Sequence, residues 1–338
     1  MKKVYNIALL PGDGVGTELV SAARTVLEQV EKKTGSFDLN FTEYAFGLKP
    51  YTESGQAVPE QTLTGLKQSQ AALLGAVSVA DIPSPSPVGF IRKELNLFAD
   101  VRPIRSLPGA WSLKPGIDLV CIRENTEGFL ADRNLYQGYG EFMPREDLVL
   151  SMRVISRRAS ENIARFAFRY ARANGRKKIT VLHKAGVLKL GCGLFLQTVK
   201  DIGREYPEIE LTDEYIDNAA NNLIAKPESY DILLTTNLFG DIISDEAAAL
   251  VSSIVPTANI GPDNALFLPI NHSPRLHDAG KGVVDPLGMI LCVGMLLDHL
   301  SEPAAGNMVR GAVAESLREG LLAGLSTSGI TGKICERI

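Results

Sequence analysis

The chain has 338 residues, 45% hydrophobic and 22% charged, enough to bury a large core that we expect to form two compact units. Its formal net charge of -4, without a basic cluster interleaved with aromatics, argues against a nucleic-acid partner, and no apolar run is long enough to span a membrane. The four cysteines lie far apart without a CxxC pair, which favours reduced thiols in a cytoplasmic protein.

The N-terminal residues predict a strand, a glycine-rich turn and a helix. The apolar run over 4–10 indicates a buried strand that enters the loop 11–16, Pro-Gly-Asp-Gly-Val-Gly. Thr17 is predicted to cap the following helix, whose apolar residues recur at helical spacing. N–H groups at such a helix start can bind a phosphate, but glycines spaced two apart are more often a tight turn. The sequence leaves both interpretations open.

Three arginines near the ends of predicted elements are candidates for binding carboxylates. The proline-rich segment 81–89 predicts an irregular surface loop, and Arg92 follows it. Arg102 follows an apolar run, and Arg123 ends the predicted strand 118–122. Each guanidinium offers a forked donor set that suits a substrate with several carboxylates. Ordinary surface ion pairing is the alternative.

The middle of the chain adds a lysine and an acid at strand ends. Helices are predicted over 156–173 and 194–204, and the strand 179–183 between them delivers Lys184. Partial desolvation there would lower the lysine pKa and suit it to proton transfer, whereas a plain surface amine is the alternative. Asp217 follows another apolar strand end, which makes it a candidate metal ligand.

The stretch 237–246 joins a predicted strand, 231–236, to an alanine-rich helix. If that helix begins near Phe239, then Asp241 and Asp245 lie on one face, four residues apart. Like charges at this spacing repel unless a cation lies between them, and hard oxygen ligands suit Mg²⁺ or Mn²⁺. Two solvated acids on a surface helix are the alternative.

Seven short segments, in chain order, resemble those of one protein family. They are 11–16, 91–93 with 97–103, 123–128, 183–185, 215–218, 237–246 and 279–282. Together they are similar to the isocitrate and 3-isopropylmalate dehydrogenases, which are metal-dependent, β-decarboxylating dehydrogenases of malate-type acids. The resemblance extends from about residue 5 to about residue 302.

The resemblance implies an α/β fold with two domains that is not a Rossmann fold. The large domain would contain residues 1–98 and 250–338 with the cofactor loops. The small domain would contain residues 99–249 with the metal ligands and the dimer contacts. The family pattern further implies a homodimer whose active sites are shared between subunits, and a malate-type acid as the small-molecule partner.

The same resemblance assigns roles to individual residues. The implied substrate ligands are Ser86, Arg92, Arg102 and Arg123. The implied ligands of Mg²⁺ or Mn²⁺ are Asp241 and Asp245, with Asp217 of the partner subunit. The implied catalytic residues are Asp241 and Lys184; the lysine comes from the partner subunit and assists removal of the C2 hydroxyl proton. The implied ligands of the nicotinamide cofactor are Asn237, His272, Asp278 and Asp285.

The chain departs from the family pattern near the reacting groups. The implied reaction ends with protonation of an enol, and the tyrosine expected as the acid is Leu130, which cannot donate a proton. Tyr136, Tyr139 or a water molecule are its possible substitutes. The asparagine expected two residues after Lys184 is Gly186. These changes motivate a second hypothesis, a non-catalytic or regulatory paralogue that binds metal and acid; the retained arginines, aspartates and lysine favour the active enzyme.

The cofactor loop also carries changes. The expected glutamate, glycine and asparagine are replaced by Pro269, Ser273 and Asp285. The carboxylate of Asp278, or of Asp285, would accept hydrogen bonds from a ribose 2′-hydroxyl, which favours NAD. In the same loop Arg275 and His277 would bind a 2′-phosphate, so NADP is possible.

The 3-substituent of the acid is not determined by the sequence. Ser84 and Ser86 offer hydroxyl groups to a polar substituent such as a carboxylate or a phosphonate, whereas Val88 favours an alkyl group. We therefore expect a 3-substituted malate, with isocitrate, homoisocitrate, 3-isopropylmalate or a related acid such as tartrate or D-malate as the candidates.

Overall fold

The computed structural model describes residues 2–82, 86–129 and 140–338. Within these ranges the strands are β1 (Lys3–Gly12), β2 (Phe37–Glu43), β3 (Ala71–Ala76), β4 (Ala99–Arg105), β5 (Asp118–Glu124), β6 (Glu141–Arg145), β7 (Leu148–Ser151), β8 (Lys178–His183), β9 (Glu210–Tyr215), β10 (Ile232–Thr235), β11 (Pro256–Ile260) and β12 (Ala265–Pro269). The helices are α1 (Gly16–Thr34), α2 (Leu48–Ser54), α3 (Glu60–Gln68), α4 (Pro87–Glu94), α5 (Arg157–Ala173), α6 (Gly191–Gly203), α7 (Ile216–Ala225), α8 (Asn237–Ala249), α9 (Leu287–His299), α10 (Pro303–Arg318) and α11 (Thr327–Arg337). This alternation of strands and helices is typical of an α/β protein.

One compact unit contains residues Met1–Leu95, Leu107–Ser112 and Ser252–Ile338. Its strands lie in the order β2, β1, β3, β12, β11. Neighbours are parallel except for β11, which runs antiparallel to β12. Helix α1 packs on β1 and β3, and α9 packs on β11 and β12. Because helices cover the central strands, β3 is buried along its whole length and consists of small and apolar residues.

The other compact unit contains residues Asn96–Ser106 and Leu113–Val251. Its strands lie in the order β4, β5, β10, β8, β9, in which β4 is antiparallel to β5 and the remaining neighbours are parallel. The carboxyl ends of the four parallel strands therefore meet at one edge, where the amino end of β4 also lies. This edge collects the segments in which most of the candidate residues were predicted.

Several helix starts differ from the sequence prediction: α6 begins at Gly191 and not at residue 194, and α8 begins at Asn237 and not near Phe239. Helix α1 begins at Gly16 with Val15 as its N-cap residue, so the cap predicted at Thr17 is wrong. The irregular loop predicted through residue 89 is also wrong, because α4 begins at Pro87. Proline suits the first position of a helix, where its missing N–H has no intrahelical partner, and the Ser86 hydroxyl accepts the N–H of Gly89 at 3.1 Å.

The glycine-rich segment after β1 is a tight turn. A Cβ at Gly12 would lie 1.9 Å from the carbonyl oxygen of Ala76, and one at Gly16 would lie 2.6 Å from the Ala76 nitrogen. The N–H groups of Asp13 and Val15 donate to backbone carbonyls at 2.9 Å. Because backbone carbonyls already use these amides, the turn serves close packing, and phosphate binding by the first N–H groups of α1 stays a prediction.

Other sequence predictions concern the whole chain. In the part of the chain that the structure describes, no helix is long and apolar enough to cross a membrane. The four cysteines are free thiols, and three of them are buried. The predicted division into domains, with boundaries at residues 98 and 249, stays a prediction.

Candidate functional site

The antiparallel pair β4 and β5 places two arginines beside a buried carboxylate. Asp100 lies opposite Arg123 in the register, and Arg102 follows on the same face of β4. The exposed fractions of Asp100, Arg102 and Arg123 are 0%, 5% and 2%. Asp100 accepts hydrogen bonds from Nε and Nη2 of Arg102 at 3.2 and 3.0 Å, and from Nη1 of Arg123 at 3.4 Å. Burial disfavours the charged guanidinium, but the charge and hydrogen bonds of Asp100 raise the pKa of Arg102 above its ordinary value.

Helix α8 brings two more carboxylates to the same arginines. Arg102 donates from Nη2 to Asp241 at 3.4 Å and from Nη1 to Asp245 at 3.0 Å. Arg123 donates from Nη1 to the same Asp241 oxygen at 2.5 Å. The helix can approach this closely because residue 240 is glycine, since a Cβ at Gly240 would lie 2.7 Å from the stem of Arg123. The four-residue spacing thus turns Asp241 and Asp245 toward one guanidinium.

Asp241 and Asp245 supply part of a donor set for a hard divalent cation. Their side chains are 47% and 68% exposed, so an ion can reach their oxygens from solvent. Carboxylate oxygens are ligands that Mg²⁺ and Mn²⁺ accept. Within residues 2–82, 86–129 and 140–338, no group of three or more His, Cys, Asp or Glu residues could hold a metal. The pair therefore fits a metal site but does not complete one, and Asp217 does not join it within one chain.

Asn237, at the start of α8, has one amide atom in use and one unused. Its Oδ1 accepts hydrogen bonds from Nε and Nη2 of Arg123 at 3.2 and 2.6 Å. Its Nδ2 is buried and has no hydrogen-bond partner among the described residues. A buried donor without a partner costs free energy, so this atom is a candidate contact for a bound group. Gly128 packs against the base of this side chain, because a Cβ at residue 128 would lie 2.9 Å from the Cβ of Asn237.

Lys184 and Asp217 form a second group at the same edge of this unit. Lys184 Nζ donates to Asp217 Oδ1 at 2.5 Å, and this hydrogen bond lowers the pKa of Asp217 below its ordinary value. The Lys184 ammonium also lies 5.1 Å from the centroid of the Tyr215 ring. Gly186 makes room for that tyrosine, since a Cβ at residue 186 would lie 2.4 Å from the Tyr215 hydroxyl. The space left by the asparagine expected here is thus occupied by Tyr215.

The remaining substrate candidates lie on α4 in the other unit. Arg92 is 9% exposed and donates from Nε to Oδ1 of Asn259 on β11 at 2.8 Å. Ser86 caps α4 through its hydroxyl oxygen, and its hydroxyl group retains a hydrogen that can donate. Val88, the residue proposed for an alkyl substituent, is 5% exposed.

The cofactor candidates after β12 belong to one loop of that unit. His272 Nδ1 donates to the carbonyl of Ile270 at 3.0 Å, which places its proton on Nδ1. Asp278 accepts from Arg275 and lies 3.3 Å from His277 Nε2. Asp285 lies just before α9, and its carboxylate accepts the N–H of Leu287 at 2.8 Å. Asp278, which favours NAD, is therefore in contact with Arg275 and His277, which favour NADP.

Sequence reasoning missed two residues of the arginine cluster. Asp100 belongs to a recognised segment but received no role, and Ser244, which accepts from Arg102 Nη1 at 2.8 Å, was passed over between the two aspartates. A signal for Asp100 was present, because alternate residues of a strand share a face. Leu130, Tyr136, Tyr139 and Ser84 lie outside the described residues. The roles predicted for all site residues stay predictions.

Comparison with known proteins decides the family. A model of the isocitrate/isopropylmalate dehydrogenase family matches residues 6–336. The chain belongs to this family. The 3-isopropylmalate dehydrogenase of Methanothermobacter thermautotrophicus is 39% identical over 337 residues, which cover 98% of this chain and 95% of that protein. The isocitrate/homoisocitrate dehydrogenase of Thermus thermophilus is 40% identical over 321 residues, which cover 94% of this chain and 92% of that protein.

A solved structure confirms the fold class predicted from the sequence. The crystal structure of isocitrate dehydrogenase from Methylococcus capsulatus matches with a TM-score of 0.89 and 34% identity, over 98% of this chain and 99% of that chain. The protein therefore has the α/β fold of an isocitrate dehydrogenase. Because relatives at similar identity are named for different acids, membership of the dehydrogenase family does not select the substrate.

Proposed function

We propose that this protein is an NAD-dependent and Mg²⁺- or Mn²⁺-dependent dehydrogenase that oxidatively decarboxylates a 3-substituted malate. The observation that carries the proposal is the convergence of Arg102 and Arg123 on Asp241 and Asp245. Two buried guanidiniums bind carboxylates, and two exposed carboxylates beside them bind a divalent ion. A malate-type acid presents both its carboxylates and its C2 hydroxyl to such a site.

The residues of this chain have distinct roles in the proposed reaction. Arg102 and Arg123 bind and orient the acid, and the family pattern adds Arg92 and Ser86 as substrate ligands. Asp241 and Asp245 would hold the divalent ion, which when bound polarises the substrate oxygens as a Lewis acid. Lys184 Nζ takes part in moving the proton of the C2 hydroxyl.

The proposed cofactor is a nicotinamide dinucleotide, which accepts the C2 hydride when bound. The buried and unpaired Nδ2 of Asn237 supports this assignment, because a carboxamide or hydroxyl of the cofactor would satisfy it. His272, Asp278 and Asp285 are the proposed ligands in the other unit. NAD is the preferred cofactor because Asp278 would accept a ribose hydroxyl; NADP is the alternative, because Arg275 and His277 contact the same acid.

A homodimer with shared active sites is part of the proposal. Large apolar side chains near Lys184 and Asp241 are exposed: Val187 by 72%, Leu190 by 90% and Ile242 by 61%. Large apolar side chains with this much exposure are candidates for a protein interface. A second copy of the chain would cover them and would bring Asp217 of the partner subunit to Asp241 and Asp245, which lack a third ligand in the described chain.

The test is a substrate panel that follows absorbance of the reduced nicotinamide. The acids are isocitrate, homoisocitrate, 3-isopropylmalate, tartrate and D-malate, each with NAD and with NADP in the presence of Mn²⁺. We expect turnover of at least one acid, and its loss on addition of EDTA or in the Asp241→Asn variant. Asp263→Asn removes an exposed carboxylate in the other unit and is expected to leave turnover unchanged.

Absence of turnover with every acid would contradict the proposed enzyme. If an acid still bound in a metal-dependent manner, the protein would instead be a non-catalytic or regulatory member of the family. Gly186 and Leu130 motivate that alternative, and the binding measurement separates it from a protein without an acid site.

A further inference from the structure

Asp100 is a buried acid that no step of the proposed reaction uses. Its side chain has no exposed surface, yet it lies between the two arginines that face the acid site. The register of β4 and β5 causes this placement, because Asp100 is opposite Arg123 and two residues before Arg102. A buried carboxylate is stable only when it is paired, and here both arginines donate to it.

The hydrogen bonds of Asp100 also fix the direction of Arg102. The carboxylate takes Nε and Nη2 of this guanidinium in a two-point contact at 3.2 and 3.0 Å. Nη1 is thereby directed toward Ser244 and Asp245 on α8. A planar guanidinium held at two donors cannot rotate, so the position of Asp100 sets the orientation of its neighbour.

The charge of Asp100 reduces the net positive charge that the two arginines present to the carboxylates of a bound acid. Two guanidiniums with one buried carboxylate between them carry a net charge of about one positive unit, and replacing the carboxylate by a neutral group would leave two. The exposed charges of Asp241 and Asp245 belong to the metal side of the site and do not change between these cases. An acid with an additional carboxylate would therefore gain less from this site than the two arginines alone predict.

We propose that Asp100 is a positioning residue that also sets the charge preference of the site, favouring acids with two carboxylates over acids with three. This inference rests on the proposed function, because it assumes that Arg102 and Arg123 bind the carboxylates of a malate-type acid. The charge of the site would then disfavour isocitrate and homoisocitrate, which are the candidate acids with three carboxylates.

The experiment measures binding of D-malate and D-isocitrate by calorimetry with Mg²⁺ and without nicotinamide, so that neither acid can be oxidised. These acids differ by one carboxylate-bearing substituent. Asp100→Asn keeps the size of the side chain and removes its charge. We expect the affinity ratio of isocitrate to malate to rise about tenfold in this variant.

An unchanged ratio would overturn the proposal, even if both affinities fell, because lost positioning alone would weaken both acids equally. Asp231→Asn is the matched control: it removes a carboxylate that pairs with Arg176 at 2.8 Å in the same unit, and the ratio should not change. Asp100→Ser removes the same charge if Asp100→Asn does not fold.

The wild-type protein gives a further test that needs no variant. Isocitrate binding more than about a hundredfold tighter than malate would overturn the proposal. The third carboxylate would then contribute the binding free energy expected from two arginines without Asp100. If neither acid bound to the wild-type protein, this inference would fail, whereas turnover of 3-isopropylmalate in the substrate panel would show that the proposed function stands. If both acids bound but were not oxidised when nicotinamide was added, only the proposed enzyme activity would fail.

Discussion

Buried polar side chains dominate the candidate site at the scale of single residues. Asp100, Arg102, Arg123 and Asn237 are each at most 5% exposed. Each is held by at least one hydrogen bond to another member of the group. Because unpaired groups of this kind are costly in a protein interior, the cluster is stable only as a whole. The unpaired Nδ2 of Asn237 is the exception that points to a ligand.

We predict that Asn237→Asp weakens cofactor binding but leaves the free energy of unfolding nearly unchanged. The new carboxylate can still accept from Arg123, so the free energy of unfolding should change by less than about 1 kcal/mol. It cannot donate, so the dissociation constant for the reduced nicotinamide cofactor should rise about tenfold, the value of one hydrogen bond. Cofactor fluorescence and urea unfolding measure the two quantities. Asn162→Asp, an exposed change on α5, is the control, and equal cofactor binding in both variants would contradict the prediction.

At the scale of residues, candidate identities were predictable but their partners were not. Arg102, Arg123, Asp241 and Asp245 were singled out from strand ends and helical spacing, and the structure brings them together. Asp100 was not singled out, because strand alternation places it on the face of Arg102 but does not reveal its pairing with Arg123. Its partner Arg123 lies 23 residues away, and only the register of two strands makes them neighbours.

At the scale of elements, the turn after β1 shows how glycine serves close packing. A Cβ at Gly16 would lie 2.0 Å from the carbonyl oxygen of Pro11, and one at Gly75 would lie 2.4 Å from the carbonyl oxygen of Gly16. These are backbone atoms, which cannot rotate away as a side chain does. Helix α1 can therefore begin against β1 and β3 only where both residues lack a side chain.

We predict opposite effects for two Gly→Ala substitutions. Gly16→Ala should lower the free energy of unfolding by about 3 kcal/mol or more, because the methyl group overlaps fixed backbone. Gly311→Ala, within α10, has nothing within 4 Å of its added Cβ and should raise the free energy of unfolding by about 0.5 to 1 kcal/mol. Urea unfolding at one protein concentration measures both. A stable Gly16→Ala variant would contradict the proposed packing role.

The order of elements was largely predictable, whereas several of their boundaries were not. Apolar runs and helical spacing identified β1, β8, β10, α5 and α8. The apolar residues on the buried face of a strand or helix recur at the period of that element, so they are visible in the local sequence. Helix α4 was missed because proline was taken as a breaker, although proline is accepted at a first helical position.

At the scale of the whole molecule, the proposed shared site can be tested by mixing inactive subunits. Lys184→Met and Asp241→Asn chains are each expected to form inactive dimers. Co-expressed, half of the dimers contain one chain of each kind, and each mixed dimer has one site with both native residues. We therefore expect about a quarter of the wild-type turnover.

Continued inactivity of the mixture would contradict sharing, because each chain would then contain a complete site of its own. The control is light scattering, which should show dimers for the wild-type protein and for both variants. The Lys184 and Asp241 variants should also show unfolding transitions close to that of the wild type, since both side chains are partly exposed.

The sequence by itself determined the α/β class, the family and most of the candidate site residues, because these depend on short segments and local periodicity. The tertiary structure decided which candidates meet. It placed Asp100 between two arginines, left Nδ2 of Asn237 without a partner, put Tyr215 in the space beside Gly186, and used the glycine-rich loop for packing. These contacts join residues distant in the chain, and they depend on strand register and on backbone approach, which no single segment encodes.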